Sequence, residues 1–263
     1  MSRRPVAFAC QGSECFGTLD DGPRPVGLLI VSGGNEIRSG AWNGQAQIAA
    51  RVAAAGYPVF RYDRRGVGDS AGENAGFRGS LPDIEAAIAA FRQACPGVRD
   101  IVAFGNCDAA AALMLASGAG CRGLVLSNPW TLEDAAESDD PPPEAVRAHY
   151  ARRLRDPVAL LRLLRGRIAF RSLLANLRKV LAPAAPSSLA AELRAGLAGF
   201  NGPVRILLAD RDRTAQVFLA RWDGHDPRLR HCAGASHSFV EPTARDWLEH
   251  QLLDALAEVE RGA

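Results

Sequence analysis

The sequence predicts an α/β fold with a mostly parallel, doubly wound sheet, and three observations predict it. The apolar run at residues 27–31 is typical of a strand that is buried on both faces of a sheet. Further strand-like runs alternate with helical segments along the chain, which is the order of elements in a parallel sheet. The chain has 263 residues, of which 48% are hydrophobic, so it can form one large core.

The predicted elements follow one another in a regular order. An opening hairpin is predicted from strands at residues 6–10 and 15–19, which flank a polar turn. Strands are then predicted at residues 27–31, 59–62, 101–104, 124–127, 204–209 and 229–232. Helices are predicted at residues 46–55, 82–94, 110–115, 215–221 and 244–259. Each helix follows a strand, as a doubly wound sheet requires.

Residues 131–200 interrupt this alternation. A proline-rich turn at 139–143 is followed by leucine, arginine and alanine at helical spacing. We therefore expect a helical lid over 131–200, inserted between two core segments at 1–130 and 201–263. Residues 141–181 contain ten basic and two acidic side chains, although the whole chain has a net charge of only +2. This charge indicates either a solvated helix face or a surface for an anionic partner.

The turn after the strand at 101–104 contains a candidate nucleophile. Gly105 and Ala109 are small enough for the strand and the next helix to approach closely around Cys107. This pattern is similar to the nucleophile elbow, usually Gly-x-Ser-x-Gly, which exposes a side chain at the N-terminus of a helix. A thiol in that position can attack a carbonyl once a histidine accepts its proton. The competing interpretation is that Cys107 is a small buried apolar residue.

A histidine and an acidic residue follow at suitable places. His237 lies in a loop of small residues between the last predicted strand and helix, where it can reach the edge of the sheet. The acidic residue is expected just after the strand at 204–209, where Asp210 and Asp212 compete. Asp212 is favoured because it lies further out on the loop, before Thr214, the predicted N-cap of the next helix. The order Cys107, Asp212, His237 agrees with the nucleophile–acid–histidine order of this kind of site.

Two backbone N–H groups are predicted to stabilise a developing oxyanion. One belongs to Asp108, the residue after the nucleophile. The other is expected after the strand at 27–31, where Gly33 and Gly34 leave space for an N–H to face the site. Gly34 is the preferred second donor, and Asn35 is the alternative.

Other classes of protein are not indicated. The sequence has no apolar run long enough to cross a membrane and no signal-peptide core. Its six cysteines include no Cys-x-x-Cys pair, so we expect reduced thiols, a cytoplasmic location and no metal or other cofactor. The loop at 63–70 lacks the Lys-Ser/Thr of a phosphate-binding loop. It is interpreted as structural, with Arg65 paired to a carboxylate, and no nucleic-acid partner is expected.

Five segments together resemble the α/β-hydrolase superfamily across nearly the whole chain. They are VSGGN at 31–35, YDRRGVGDSAG at 62–72, FGNCDA at 104–109, LLADRDRTA at 207–215 and GASHSF at 234–239. In combination they also resemble the exosortase A system-associated hydrolase type 1 family, which is connected with bacterial exopolysaccharide production and protein sorting. That resemblance implies a hydrolase without a defined substrate. The pattern departs from the superfamily in having Gly-x-Cys-x-Ala, but dienelactone hydrolases also have a cysteine at this turn.

These residues predict acyl transfer from, or hydrolysis of, a small ester or thioester by Cys107, His237 and Asp212. The basic segment favours an anionic substrate, an acyl carrier protein or an anionic membrane surface as a partner. Two alternatives stay open. One is a lactone hydrolase of the dienelactone type, and the other is a non-catalytic binding or scaffolding protein with the same fold.

Overall fold

The computed structural model describes residues 2–132 and 188–262. The strands are β1 (Arg3–Cys10), β2 (Ser13–Asp20), β3 (Val26–Val31), β4 (Val59–Tyr62), β5 (Asp100–Asn106), β6 (Gly123–Ser127), β7 (Val204–Ala209) and β8 (Leu229–Cys232). The α-helices are α1 (Gly44–Ala54), α2 (Leu81–Ala94), α3 (Asp108–Leu115), α4 (Ser188–Ala198), α5 (Arg213–Arg221) and α6 (Pro242–Arg261). Most of the predicted lid, with its basic segment, lies outside the described residues.

The eight strands form one sheet in the order β1-β2-β4-β3-β5-β6-β7-β8. The hairpin β1–β2 is antiparallel, and β2 is also antiparallel to β4. All pairs from β4 to β8 are parallel. The carboxyl ends of these parallel strands therefore lie at one edge of the sheet, where the loops after β3, β5, β6, β7 and β8 meet.

Helices cover both faces of the sheet, which confirms the predicted doubly wound α/β fold. Leu29 and Val31 of β3 pack on one face with residues of α2, α3, α4 and α5. Leu28 and Ile30, which alternate with them, pack on the other face with α1 and α6. Successive side chains of a strand point to opposite faces, so a strand covered on both sides must be apolar throughout.

Helix α4 lies within the range predicted as an insertion and packs into the core. Its residues Leu189, Leu193 and Leu197 are buried against the α3 side of the sheet. The backbone of α4 closely approaches α3, because a Cβ atom at Gly196 would lie 2.2 Å from the Met114 carbonyl oxygen. This part of the predicted insertion is therefore continuous with the core. A lid over residues 133–187 stays a prediction.

Among the described residues, no helix combines the length and hydropathy needed to span a bilayer.

Candidate active site

Cys107 occupies a strained turn between β5 and α3. Its backbone angles are φ 61° and ψ −123°, in a region that a residue with a side chain rarely adopts. The turn is tight, because a Cβ atom at Gly105 would lie 2.7 Å from the carbonyl carbon of Ala109. The Cys107 N–H donates to the Ser127 carbonyl at 2.9 Å, and the Trp130 N–H donates to the Cys107 carbonyl at 3.1 Å. These bonds hold a half-buried thiol at the edge of the sheet.

The His237 imidazole lies at the same edge and faces Asp212. Its Nδ1 atom is 3.0 Å from the Asp212 Oδ2 atom, and the Asp212 side chain is almost fully buried. The same Oδ2 atom accepts a hydrogen bond of 3.0 Å from the Ala215 N–H. Asp212 is therefore the N-cap of α5. The prediction that Thr214 has this role was wrong, because the helix begins at Arg213, before Thr214.

Asp210, the competing acidic residue, lies elsewhere. Its exposed carboxylate is 3.1 Å from Nδ1 of His231 on the edge strand β8. The structure thus places the two acidic residues beside two different histidines. It is Asp212 that faces the histidine next to the candidate nucleophile.

The surroundings of His237 favour its protonated form. The hydrogen bond to Asp212 is the largest influence, the nearby Cys107 side chain is the second, and together they raise the pKa of His237 from 6.5 to about 10. Burial acts in the opposite direction and is outweighed. An imidazolium held between a carboxylate and a sulfur can stabilise a thiolate and later act as a proton donor.

Two asparagines, which the sequence analysis did not identify, hold the loop that contains His237. The Asn128 Nδ2 atom lies 3.2 Å from the His237 carbonyl oxygen and 2.9 Å from Asn106 Oδ1. Asn106 Nδ2 lies 3.3 Å from the same carbonyl oxygen. Asn128 also accepts from the Ala209 N–H at 2.9 Å and is fully buried. It thus connects the ends of β5, β6 and β7 with the histidine loop.

The position of Asn128 in the sequence is a signal from which its role could have been inferred. It follows the buried strand β6 directly and precedes a proline, and its φ of 44° is a conformation that asparagine tolerates better than most residues. A polar residue at the carboxyl end of a parallel strand is a candidate for a role in the site, because that edge is where sites form in α/β sheets.

The predicted oxyanion site differs from the expectation of two open donors. The Asp108 N–H belongs to the first residue of α3, next to Cys107. The Gly34 N–H points into the same region, but it donates to the carboxylate of Asp108, at 2.7 Å to Oδ1 and 2.8 Å to Oδ2. Sequence reasoning placed both residues in the site and missed this contact between them.

Arg64 and Glu36 complete the surroundings of Asp108. The Arg64 guanidinium is buried, donates to the Gly34 carbonyl and lies 3.8 Å from Asp108 Oδ2. Burial raises the pKa of Glu36, and the carboxylate of Asp108 raises it further, whereas the charge of His237 lowers it. The Glu36 carboxylate accepts hydrogen bonds from the Ala41 N–H and from Gln45.

A cavity of about 60 Å³ lies beside the histidine loop. Its walls include Glu36, Trp42, Asn106, Phe239 and Leu248, and Cys107 is not among the lining residues. His237 does not line it either, but the chain neighbours of these two residues, Asn106 and Ser238, do. The Trp42 indole N–H donates to the Ser238 carbonyl at 3.3 Å, so the segment after β3 contacts the histidine loop at the wall of the cavity.

In the loop at 63–70, Arg65 is paired with a carboxylate, as predicted. Arg65 forms an ion pair of 2.9 Å with the buried Asp83. Asp63 accepts from the backbone and the guanidinium of Arg38. Within residues 2–132 and 188–262, no group of three or more His, Cys, Asp or Glu side chains is arranged to hold a metal ion.

Comparison with known proteins identifies the class. The profile of the alpha/beta hydrolase family matches residues 28–250. The chain therefore belongs to the alpha/beta hydrolase family. No curated protein matches the sequence.

Solved structures share this fold at low sequence identity. An esterase from Pyrococcus furiosus aligns with a TM-score of 0.64 and 14% identity, over 97% of this chain and 90% of that one. The alpha/beta hydrolase GrgF from Penicillium sp. sh18 aligns with a TM-score of 0.66 and 17% identity, over 99% and 100%. Est1E from Butyrivibrio proteoclasticus, solved with ferulic acid bound, aligns with a TM-score of 0.58 and 15% identity, over 96% and 99%.

Proposed function

We propose that this protein hydrolyses esters or thioesters, or transfers their acyl groups, with Cys107 as nucleophile, His237 as acid and base, and Asp212 as the group that orients His237. The observation on which the proposal rests most is the position of His237. Its ring is 3.0 Å from the Asp212 carboxylate, and the Cys107 side chain lies near enough to raise its pKa. An acid, a histidine and a nucleophile at a strand–helix turn are the parts that acyl transfer requires.

The first half of the proposed reaction forms a thioester on Cys107. The thiolate sulfur attacks the carbonyl carbon, an S–C bond forms, and the π electrons move to the carbonyl oxygen. When the tetrahedral species collapses, the bond from carbon to the leaving oxygen or sulfur breaks. His237 gives its proton to that leaving atom. The backbone N–H groups of Asp108 and Gly34 are the proposed donors to the oxyanion.

The second half regenerates the thiolate. Neutral His237 takes a proton from water or from an acceptor hydroxyl, whose oxygen attacks the thioester carbon. The S–C bond then breaks, and the electron pair returns to the sulfur. Asp212 keeps Nδ1 of His237 protonated throughout, so that Nε2 is the atom that exchanges protons.

The substrates that we propose are a narrower set than membership of the alpha/beta hydrolase family alone implies. A sulfur nucleophile exchanges readily with thioesters and activated esters, so we propose these substrates rather than amides. The esterase from P. furiosus and the ferulic acid bound to Est1E are consistent with ester chemistry on this fold. The resemblance of the motifs to exosortase A-associated hydrolases supports a role in bacterial exopolysaccharide production.

The proposed partners follow from the charge of residues 141–181, and the proposed location follows from the cysteines. The basic residues of 141–181 favour an anionic acyl donor, such as an acyl group on an acidic carrier protein, or an anionic membrane surface. All six cysteines are free thiols, which is consistent with the reducing cytoplasm as the place of action.

Mass spectrometry of the intact protein tests the nucleophile. The wild type, Cys107→Ala and Cys95→Ala are each mixed with a short-chain acyl thioester, the matched oxygen ester and a lactone. Cys95 is a second half-buried thiol and is the matched control. We expect a mass increase of one acyl group on the Cys107 peptide of the wild type and of Cys95→Ala, and none in Cys107→Ala.

The panel also separates the alternatives. An adduct formed only with the lactone would support the lactone hydrolase. Turnover that persists unchanged in Cys107→Ala would rule out this nucleophile. Absence of both adduct and turnover with every compound would support the non-catalytic protein.

A further inference from the structure

We propose that the Gly34 N–H and the Arg64 guanidinium form a carboxylate-binding site beside Cys107, which the Asp108 side chain fills in the free protein. The acyl substrate must displace Asp108 from this site before the oxyanion can use the Gly34 N–H. The displacement of Asp108 by the substrate rests on the proposed function. The existence of the carboxylate-binding site depends only on the contacts among these residues.

The contact between Gly34 and Asp108 is close and involves both carboxylate oxygens. The N–H group lies 2.7 Å from Oδ1 and 2.8 Å from Oδ2, and the two residues are 74 positions apart in the sequence. Gly34 has a φ of +53°, and a Cβ atom at Gly33 would lie 2.3 Å from Asp108 Oδ1. A side chain at position 33 would collide with the carboxylate, and the positive φ at position 34 favours glycine. Hydrogen bonds to an ionised acceptor are among the stronger ones in proteins.

Arg64 provides a buried positive charge behind the same loop. Its side chain is only 3% exposed, and its Nη2 atom lies 3.8 Å from Asp108 Oδ2. Its Nη1 atom is buried and has no hydrogen-bond partner among the described residues. A buried guanidinium with an unused donor favours an anion nearby, because the burial of an incompletely paired charge is costly. The site therefore attracts a carboxylate or an oxyanion.

The position of Asp108 makes it a competitor of the reaction intermediate. An N–H that already donates to a carboxylate is not free to donate to the developing oxyanion. A fixed negative charge at that place also repels a second one. Because loss of one oxyanion donor typically costs about 10²–10³ in rate, occupation by Asp108 is a substantial barrier. The Asp108 side chain is partly exposed to solvent, so it has a direction in which to move.

A pair of alkylating reagents tests this site. Iodoacetate and iodoacetamide have similar size, but only iodoacetate has a carboxylate that can take the place of the Asp108 side chain. The ratio of their rates at Cys107 is measured by peptide mass spectrometry in the wild type, Asp108→Ala and Asp108→Asn. Since a freed donor and guanidinium accept the carboxylate of iodoacetate, we expect the ratio to rise about tenfold or more in Asp108→Ala. The rise in Asp108→Asn is smaller, because the amide oxygen still accepts from Gly34.

Glu36→Gln is the matched control. Glu36 is the other carboxylate near both His237 and Asp108, but its oxygens bind the Ala41 N–H and Gln45 instead of Gly34. Neutralising it changes the local charge without opening the site, so the ratio should stay close to the wild-type value. If the rate ratio rose equally in Glu36→Gln and Asp108→Ala, the loss of any nearby negative charge would explain the effect. That result would overturn the proposed site. A ratio that is unchanged or lower in Asp108→Ala would also overturn it.

A second measurement is independent of the thiol. The amide proton of Gly34 should resonate far downfield in the wild type, because it donates to a carboxylate, and should move upfield in Asp108→Ala. An unchanged resonance would contradict the site even if Cys107 were unreactive. The two proposals can fail separately. If the wild type forms no acyl adduct, the proposed function is refuted. If the alkylation ratios and the Gly34 resonance shift are nevertheless as expected, the carboxylate-binding site still holds.

Discussion

One oxygen of Asp212 serves both His237 and a helix. The Oδ2 atom lies 3.0 Å from Nδ1 of the His237 ring and accepts the Ala215 N–H at 3.0 Å. The start of α5 therefore fixes the carboxylate that orients the imidazole. The two functions have different chemical requirements, because the helix needs only an acceptor whereas the imidazole needs an acceptor with negative charge.

Asp212→Asn should separate these two functions. Asparagine is a good N-cap, so above about pH 10, where His237 is neutral in the folded protein, we expect the free energy of unfolding to change by less than about 1 kcal/mol. At neutral pH the variant also loses the stabilisation that the Asp212 carboxylate gives to the imidazolium, so the decrease there should be larger. The proposed acyl transfer should fall by about 10²–10⁴ in kcat, because the amide cannot stabilise the imidazolium and favours the wrong tautomer. Urea unfolding and steady-state kinetics with a short-chain thioester measure the two effects.

Asp210→Asn is the control for Asp212→Asn. Asp210 is exposed and pairs with His231 at the sheet edge, so its replacement should leave both stability and rate close to wild type. If Asp210→Asn lowered the rate as much as Asp212→Asn, the assignment of the acid would be wrong.

His237 should titrate well above an ordinary histidine. Its pKa is raised to about 10, first by the Asp212 hydrogen bond and then by Cys107. NMR titration of the ring should therefore give a midpoint near 10 in the wild type, a lower midpoint in Cys107→Ala and the lowest in Asp212→Asn. A wild-type midpoint near 6.5 would contradict the hydrogen-bonded arrangement.

The same shift predicts how stability depends on pH. Because the pKa of His237 in the folded protein is above its unfolded value, the folded state binds more protons between pH 6.5 and about 10. The stabilisation that His237 provides is complete below pH 6.5 and is lost as the pH rises through about 10. The difference in unfolding free energy between wild type and His237→Gln should therefore decrease over this range.

Asn128 should act as a positioning residue for His237. Asn128→Asp keeps the acceptor for the Ala209 N–H but removes the amide that donates to the His237 carbonyl. A lost buried hydrogen bond costs about 1–3 kcal/mol, so we expect lower stability together with a lower kcat and little change in KM. The exposed Asn201→Ala is the control and should match the wild type. A stability loss in Asn128→Asp with unchanged kcat would show that its role is structural only.

Leu193 should behave as a core residue although it lies within the predicted insertion. Its side chain is fully buried against the α3 side of the sheet, so Leu193→Ala should cost about 2–5 kcal/mol of unfolding free energy. Leu81→Ala, at a leucine that is 40% exposed, is the control and should cost far less. A small effect of Leu193→Ala would mean that α4 is not part of the core.

The strands and helices could be predicted where the pattern of apolar residues follows their burial. The apolar run of β3 indicated burial on both faces because alternate residues face the two layers. Strand β5 continues to Asn106, beyond its apolar residues, because its backbone still pairs with Ser127 of β6. Hydropathy alone gives no sign of that extension.

The arrangement of the candidate site could be predicted where local sequence decides it, whereas the roles of its residues stay a proposal. The small residues around Cys107 indicated a tight turn, and chain order indicated the histidine and the acid. The contact between Gly34 and Asp108 could not be predicted, because it depends on which rotamer one carboxylate adopts beside a loop 74 residues away. The hydrogen bond from Asn128 to the His237 carbonyl likewise joins positions 109 residues apart.

The most direct test of the account is the pH profile of Cys107 alkylation by iodoacetamide in wild type and His237→Ala. If a cationic His237 acts on the Cys107 sulfur, alkylation in the wild type should stay fast below neutral pH. In His237→Ala that reaction should be lost at low pH and return only as the solution becomes alkaline. A wild-type profile that coincides with that of His237→Ala would contradict the central claim that these two residues work as a pair.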